Sequence, residues 1–531
     1  MNRSRTFNYI KNIILPCLVF SLITGTLVSV VIVFFKTAVS FAIEKSEMLY
    51  TFLHRNPVYL PAAVAVTVVI AFIAKYFYRV FPDSKGGGIP TSIAILRGIV
   101  SFRWLRNLFG VITASLTTFL LGIPLGNEGP CVQIGTAIGR GVVRTLGRGN
   151  LAWDRYVMTG GACAGFSVAT GAPISGIFFA IEEAHRRLCP MIIMVATTTV
   201  MFASGMSAWI SPIFGVSGTL LGPVETIVIP LRQLWIPAVI GLGVGLFSVL
   251  FIKLNGLISS VISKFFREND IFLKILITLI LTLGFGMISF SFLGTGHSQI
   301  ESILEAKTVF IYIIPIIVFR SALMLFANNS GATGGMFVPI LALSAMFTAL
   351  LARLLLVFGI PDTYYTTIIL LGITAGLAST IKTPVTAVVF AMEALSLSNN
   401  VLPIITVVTV AFMITEIFGA KSINESVIET RVHQLNEGKT VRTYDANISV
   451  KPNSFVVGKA IRDIFWPNNL FVLSICHSAD SPEVDRHGDK SIRDGDILHV
   501  RFSTQDYDST IEELVALTGD TDISAQKEEN V

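Results

Sequence analysis

Apolar runs about as long as a lipid bilayer is thick recur along this chain: Ile13 to Phe35, Val58 to Tyr78, Phe109 to Leu125, Trp235 to Leu254, Ile271 to Leu293 and Val309 to Leu325. A helix rises 1.5 Å per residue, so about 20 apolar residues cross the hydrocarbon layer. With 53% hydrophobic and only 14% charged residues, the chain carries more apolar surface than a soluble core can bury. Lipid is the solvent that can take it. The pattern predicts an all-α polytopic protein of the cell membrane, with lipid as an obligatory partner.

Charge is divided unevenly along that pattern. Residues 1–430 hold 28 Lys+Arg against 17 Asp+Glu, net +11; residues 431–531 hold 11 against 17, net −6. Arg3, Arg5 and Lys11 precede the first apolar run, which places the amino terminus in the cytoplasm by the positive-inside tendency. That run is long and lacks a small-residue cleavage site, so it reads as an anchor. The five cysteines show neither CxxC nor Cys/His ligand spacing, and no metal, cofactor or nucleic-acid partner is expected.

The apolar region ends near Phe418, and residues 1–432 are taken as one membrane domain. A linker is expected at 433–446, a small soluble α+β domain at 447–520 and a disordered tail at 521–531. Within the small domain, Ser454–Gly458, Leu470–Ile475 and Ile497–Phe502 read as strands, punctuated by turn signals such as Arg493-Asp494-Gly495-Asp496. Ser509 to Leu517 reads as an amphipathic helix. In the membrane part, Ala164-Gly165-Phe166 through Pro173, Phe179-Ala180 and Glu182 recurs as Ala375-Gly376-Leu377 through Pro384, Phe390-Ala391 and Glu393, 211 residues on. Gly126 to Pro130 recurs as Gly335 to Pro339. Two halves with the same Gly/Pro-broken segments suggest a transporter built from repeats, with its site where the broken helices meet.

Three short segments have the composition of a helix start inside the membrane: Lys85-Gly86-Gly87-Gly88-Ile89-Pro90, Gly126-Asn127-Glu128-Gly129-Pro130 and Gly334-Gly335-Met336-Phe337-Val338-Pro339. Helix amino termini offer unsatisfied N–H donors and a partial positive charge, which suit an anion. Three of them can cage a halide without a lysine or arginine. Glu128 sits among those donors. An ionised carboxylate there would occupy the anion's place, and protonation would release it; a glutamate that merely caps a helix start is the competing reading. Of the adjacent acids Glu182 and Glu183, the first has a repeat counterpart in Glu393 and reads as structural. Glu183 has none and is left as either a functional or a solvated acid.

In this order, the GxGIP, GNEGPxVQxG, GAPxxGxxFxxEE and GGMFVP stretches resemble the signatures of the CLC family of anion channels and transporters. The resemblance implies a homodimer with one anion pathway per subunit and two inverted repeats in each. It matches Glu128 to the gating glutamate, Glu183 to the inner proton-transfer glutamate of the antiporters, and Gly87, Gly88, Ile89, Met336, Phe337 and Asn424 to anion-binding positions. It therefore implies exchange of a halide, chloride first, for protons, with a passive chloride channel and a fluoride/proton antiporter as alternatives. Four departures bear on the anion: Gly87 where many members have serine, Asn424 where many have tyrosine, Asn127 for a common arginine and Thr333 for a common proline. The tail resembles the C-terminal (TrkA-C) domain of regulators of potassium conductance. That implies either a cytoplasmic regulatory module for a small-molecule ligand or a dimerising accessory. No nucleophile, Walker-type loop or TVGYG filter is present, so neither an enzyme nor a potassium pore is expected.

Overall fold

The computed structural model describes all residues except 1–6, 8–9, 101, 148–150, 187, 223, 268–269, 306–309, 437–441, 477–483, 486–490, 505 and 528–531. Among the described residues, seven helices are long and apolar enough to cross a membrane. Five of the six apolar runs fall on them. The run 109–125 instead belongs to the 17-residue helix Trp104–Leu120, which Gly122 (φ 76°) closes. Two further spans, Pro190–Phe214 and Phe337–Val357, were not among those runs. Outward-facing Val, Leu, Ile and Phe side chains cover the spans that ring the protein, as on Pro57–Val80, where only 11% of the window is buried.

Inside that ring lie shorter and broken helices. Gly88–Leu96 is nine residues long, and Pro173–Phe179 is seven before it widens into a π-helical turn over Ala180–His185. Pro384–Ala394 is its 11-residue counterpart. Such interrupted backbone survives at membrane depth only where protein surrounds it. Here the helices Glu128–Leu146, Leu151–Thr170, Phe337–Val357 and Tyr365–Thr380 pack as the buried centre. Glycines let them touch: a Cβ on Gly135 would strike the Gly161 carbonyl, and one on Gly161 would strike that of Gly135. Neither position tolerates a side chain.

After the apolar helix Val401–Ile417 and the more polar helix Ile423–Asn436, the chain forms a five-stranded antiparallel sheet. The strands are β1 (Arg442–Ser449), β2 (Leu470–Cys476), β3 (Val484–Asp485), β4 (Ile497–Thr504) and β5 (Ala525–Lys527), in the spatial order β3-β2-β4-β1-β5. Ile448, Leu498, Val500 and Phe502 from one face pack with Leu514 and Leu517 of the helix Tyr507–Thr518. Three expectations are corrected. Ser454–Gly458 is a run of turns, because Asn453 (φ 60°) and Gly458 (φ 82°) are left-handed and break extended pairing. The linker at 433–446 shrinks, since helix continues to Asn436 and β1 already pairs with β4 from Arg442. Disorder from 521 is overturned up to Lys527, because β5 satisfies the free edge of β1 at Tyr444, Asp445 and Ala446.

The small domain is bolted to the membrane part through the loop that precedes β2. Tyr156 donates its hydroxyl proton to the Asp463 carbonyl (2.9 Å) and accepts from the Phe465 N–H (3.1 Å). Arg155 donates to the Trp466 carbonyl (2.7 Å) and to that of Leu96 (3.2 Å). The Phe465 ring lies 4.5 Å, centroid to centroid, from both Tyr156 and His185.

Candidate functional site

All three glycine-rich segments begin helices, and the three starts converge. Gly87 caps Gly88–Leu96, Asn127 caps Glu128–Leu146 and Met336 caps Phe337–Val357. Gly126 and Gly335 exchange a pair of backbone hydrogen bonds, N–H to carbonyl at 2.6 and 2.7 Å, which locks the second and third segments together. The Gly86 N–H donates to the Gly331 carbonyl (3.1 Å), tying the first to the third. The crossing has no spare volume. A Cβ on Gly88 would run into the Gly129 carbonyl, and one on Gly129 would lie 2.9 Å from Gly335 Cα. Backbone alone can approach this closely.

Beside the crossing is a small enclosed cavity with room for about one water-sized occupant, roughly 10 Å3. Gly87, Ile89, Met336, Phe337 and Asn424, all anticipated from the sequence, line it. Gly88 does not; it is spent on the contact with Gly129. Asn328, Gly335, Ile340, Ile381, Ile423, Val427 and Pro90 complete the wall. Of these only Asn328 carried a signal, as half of a polar Asn-Asn pair near the end of a mostly apolar helix. The Phe337 ring closes one side, edge-on to Phe166 (5.2 Å) and Phe390 (5.5 Å). First-turn amides of the Gly88 and Phe337 helices have no partner within their own helices, and they carry the positive ends of the helix dipoles.

Glu128 is fully buried, and neither carboxylate oxygen forms a hydrogen bond. Its own amide and that of Val338 face the carboxyl without closing a hydrogen bond onto it. Oε2 occupies the space a side chain at Gly126 would need. An unsatisfied buried carboxylate is costly, so the site as built calls for a proton on it or for its movement onto the donors.

Glu182 and Glu393 are the opposite case. Glu182 accepts from the N–H groups of Val385 (3.0 Å) and Thr386 (2.7 Å) and from the Thr386 hydroxyl (2.7 Å). Glu393 accepts from the N–H groups of Ile174 and Ser175 (both 2.8 Å) and from the Ser175 hydroxyl (2.7 Å). Each carboxylate caps the first turn of the other's helix, a reciprocal clasp between the two matched segments. The structural reading of Glu182 holds.

Glu183 points elsewhere. It is buried at 8% exposure, and Oε1 accepts from Nδ2 of Asn424. Arg97 donates to the Glu183 and Ala184 carbonyls (3.0 and 2.9 Å) and reaches Glu425 at 3.2 Å; Arg186 meets the same Glu425 at 2.9 Å. Two departures from the family pattern are now placed. The Thr333 hydroxyl donates to the Ser84 carbonyl (2.6 Å) and pairs with Tyr78 (2.9 Å), so it stitches loops and does not line the cavity. Asn127 is buried with Oδ1 unpaired. Two basic residues went unnoticed in the sequence. Arg320 is fully buried, on the carbonyls of Leu293 (2.6 Å) and Gly294 (2.7 Å); Lys36 donates to those of Val168, Ala169 and Ser217 (3.4, 3.3 and 3.0 Å). Both neutralise backbone ends that have no helical partner.

This fold and crossing define a polytopic membrane protein with a small cavity beside converging helix starts. The chain belongs to the voltage gated chloride channel family, whose model matches residues 66–416. Among curated relatives, an "H(+)/Cl(-) exchange transporter ClcA" from Klebsiella pneumoniae (strain 342) is 27% identical over 383 residues, covering 70% of this chain and 79% of the relative. The protein of the same name from Vibrio parahaemolyticus is 27% identical over 429 residues, covering 77% and 89%. Among solved structures, a slow cyanobacterial Cl-/H+ antiporter superposes with a TM-score of 0.71 at 23% identity, over 79% of this chain and 99% of that one. A CLC-type fluoride/proton antiporter superposes with a TM-score of 0.61 at 20% identity, over 76% and 96%. These superpositions establish the shared fold.

Proposed function

We propose that the protein is a secondary active antiporter that exchanges chloride for protons. The observation that carries this reading is Glu128: a buried carboxyl with no hydrogen bond, held where anion-seeking helix termini converge. Protonated, it stays where it lies. Ionised, it turns onto the first-turn amides and takes the anion's place, so proton and anion movement become coupled. Glu183 receives the proton on the side where the tail domain packs. Gly87, Ile89, Met336, Phe337 and Asn424 bind the anion, and Gly88 contributes by letting the helices meet. The exchange transporters named among the relatives support chloride.

The reading extends to architecture. The reciprocal Glu182 and Glu393 caps support two inverted repeats, and the protein works as a homodimer with its amino terminus and tail domain in the cytoplasm. The tail is a TrkA-C-like module, serving either as a regulator that takes a small-molecule ligand or as a dimerising accessory. Reconstituted in liposomes, the protein driven by a chloride gradient pumps protons uphill, and a fluoride gradient drives less. Anion flux without proton movement in the wild type would make it a channel instead; stronger drive by fluoride would reassign the anion.

A further inference from the structure

Asn424 belongs to two sites at once. Asn424 lines the cavity beside Met336 and Phe337, and its Nδ2 donates to the Glu183 carboxylate. Everything around that bond is held in place. Glu425, the next residue, is anchored by Arg97 and Arg186, and Arg97 also grips the Glu183 and Ala184 carbonyls. The start of the Ile423–Asn436 helix and the Glu183 segment are thereby one unit, and the freedom left is rotation of the amide. An amide has a donor end and an acceptor end, and a carboxyl group changes from pure acceptor to donor when it takes up a proton.

We propose that Asn424 is a two-position amide switch that makes anion affinity in the cavity depend on the protonation of Glu183, an inference that rests on the exchange reading above. With Glu183 ionised, Nδ2 is committed to it and Oδ1 is the polar atom left for the cavity, where an acceptor repels an anion. When Glu183 takes a proton, its O–H donates to Oδ1. The amide turns over, and both N–H bonds of Nδ2 face the anion. No bond other than the carboxyl O–H forms or breaks. Proton binding at Glu183 and anion binding in the cavity then favour one another by the same factor. Exchanging an acceptor for a donor facing a desolvated anion corresponds to about tenfold in affinity.

The other charged groups facing Glu183 are accounted for. Arg97 and Arg186 are paired with Glu425, and Glu182 is held by three donors of the Pro384 helix. The His185 ring bonds Thr159 Oγ1 at 2.8 Å. Of these, His185 is the group whose ordinary titration range falls between pH 5.5 and 8.5, and any effect it has survives when Glu183 is replaced.

The test is chloride binding by titration calorimetry on the purified full chain carrying Glu128→Gln, which removes the competing carboxylate. At pH 5.5 chloride binds about tenfold more tightly than at pH 8.5. Adding Glu183→Gln gives a single affinity at both pH values, because the glutamine side chain has no proton to gain or lose. Adding Asn424→Leu gives the weak value at both. A purely structural asparagine would weaken binding yet leave the pH ratio, and that outcome overturns the switch. Should Asn424→Leu not fold, the Glu183→Gln arm decides alone, since a pH ratio persisting there also overturns it. Wild-type protein that moves protons on a chloride gradient while either ratio persists sinks the switch and keeps the exchange reading. Wild-type protein that moves no protons sinks the exchange reading first.

Discussion

Two places in the buried centre put glutamates at the amino termini of membrane helices, and they could hardly be more different. At the clasp between the Pro173 and Pro384 helices, Glu182 and Glu393 each accept three hydrogen bonds. At the glycine crossing, Glu128 accepts none. Both settings offer helix-terminal N–H groups and positive dipole ends, so residue type and local field alone do not separate structure from function. The number of satisfied oxygens does. A carboxylate that has spent its lone pairs is part of the scaffold; one that has kept them is free to bind a proton or move.

The comparison breaks most visibly at Glu128. Glu128→Gln keeps the shape and removes the titration, so chloride-driven proton movement in liposomes falls to background while anion flux persists. Proton movement at the wild-type rate would place the exchange chemistry elsewhere. At the clasp the expected effect is on stability. Glu182→Ala leaves two first-turn amides of the Pro384 helix without their acceptor and costs about 2–4 kcal/mol. Thermal unfolding in detergent measures it, and Glu393→Ala matches it within error if the clasp is symmetric. A clasp mutant that unfolds normally but loses proton coupling would reverse the two roles.

The same contrast extends to a base. Lys459, in the tail domain, rests its ammonium on the Phe455 ring and a single acceptor, the Phe455 carbonyl (2.7 Å), and burial pushes it down to about 7. Because the folded state releases this proton before the unfolded chain does, stability rises with pH between about 7 and the ordinary lysine value near 10.4, by at most about 1.4 kcal/mol per pH unit. Lys459→Met flattens that slope in pH-dependent melting of the full chain. Smallest of all is the surface pair of Asp445 and Arg501 (2.8 Å), which holds the Asp445 carboxyl below the usual range. Its contribution is present above about pH 4, is lost as pH falls below that, and amounts to about 0.2–1 kcal/mol. The melting temperatures of Asp445→Asn and wild type therefore converge in acid.

Much of the candidate site was legible in the sequence. Glycine and proline at fixed spacing announced the helix starts, the family resemblance singled out Gly87, Met336 and Phe337 within them, and Glu128 stood out because an acid inside an apolar stretch is expensive. Asn424 was singled out by the family resemblance alone, and it lines the cavity. Lys36 and Arg320 were passed over because basic residues at those places look like ordinary membrane-edge charges until the carbonyls they hold are seen. The tail was misread at Ser454–Gly458, where valine and phenylalanine imitate a strand, and at its end, where a three-residue strand has too little sequence to announce itself.

Composition and periodicity by themselves determined that this chain lives in lipid, that its membrane part contains matched broken segments, and that a small sheet domain follows. Those features are local: hydropathy, helix-starting glycines and alternating strands are written in neighbouring residues. What only the tertiary structure decided is which polar groups find partners. Glu128 and Glu182 are 54 positions apart in sequence and alike in local chemistry, but the donors that satisfy Glu182 come from residues 385 and 386, and the donor that satisfies Glu183 comes from residue 424. Hydrogen bonding is short-ranged and directional, so that division of roles exists only once distant helices have been brought within about 3 Å of one another.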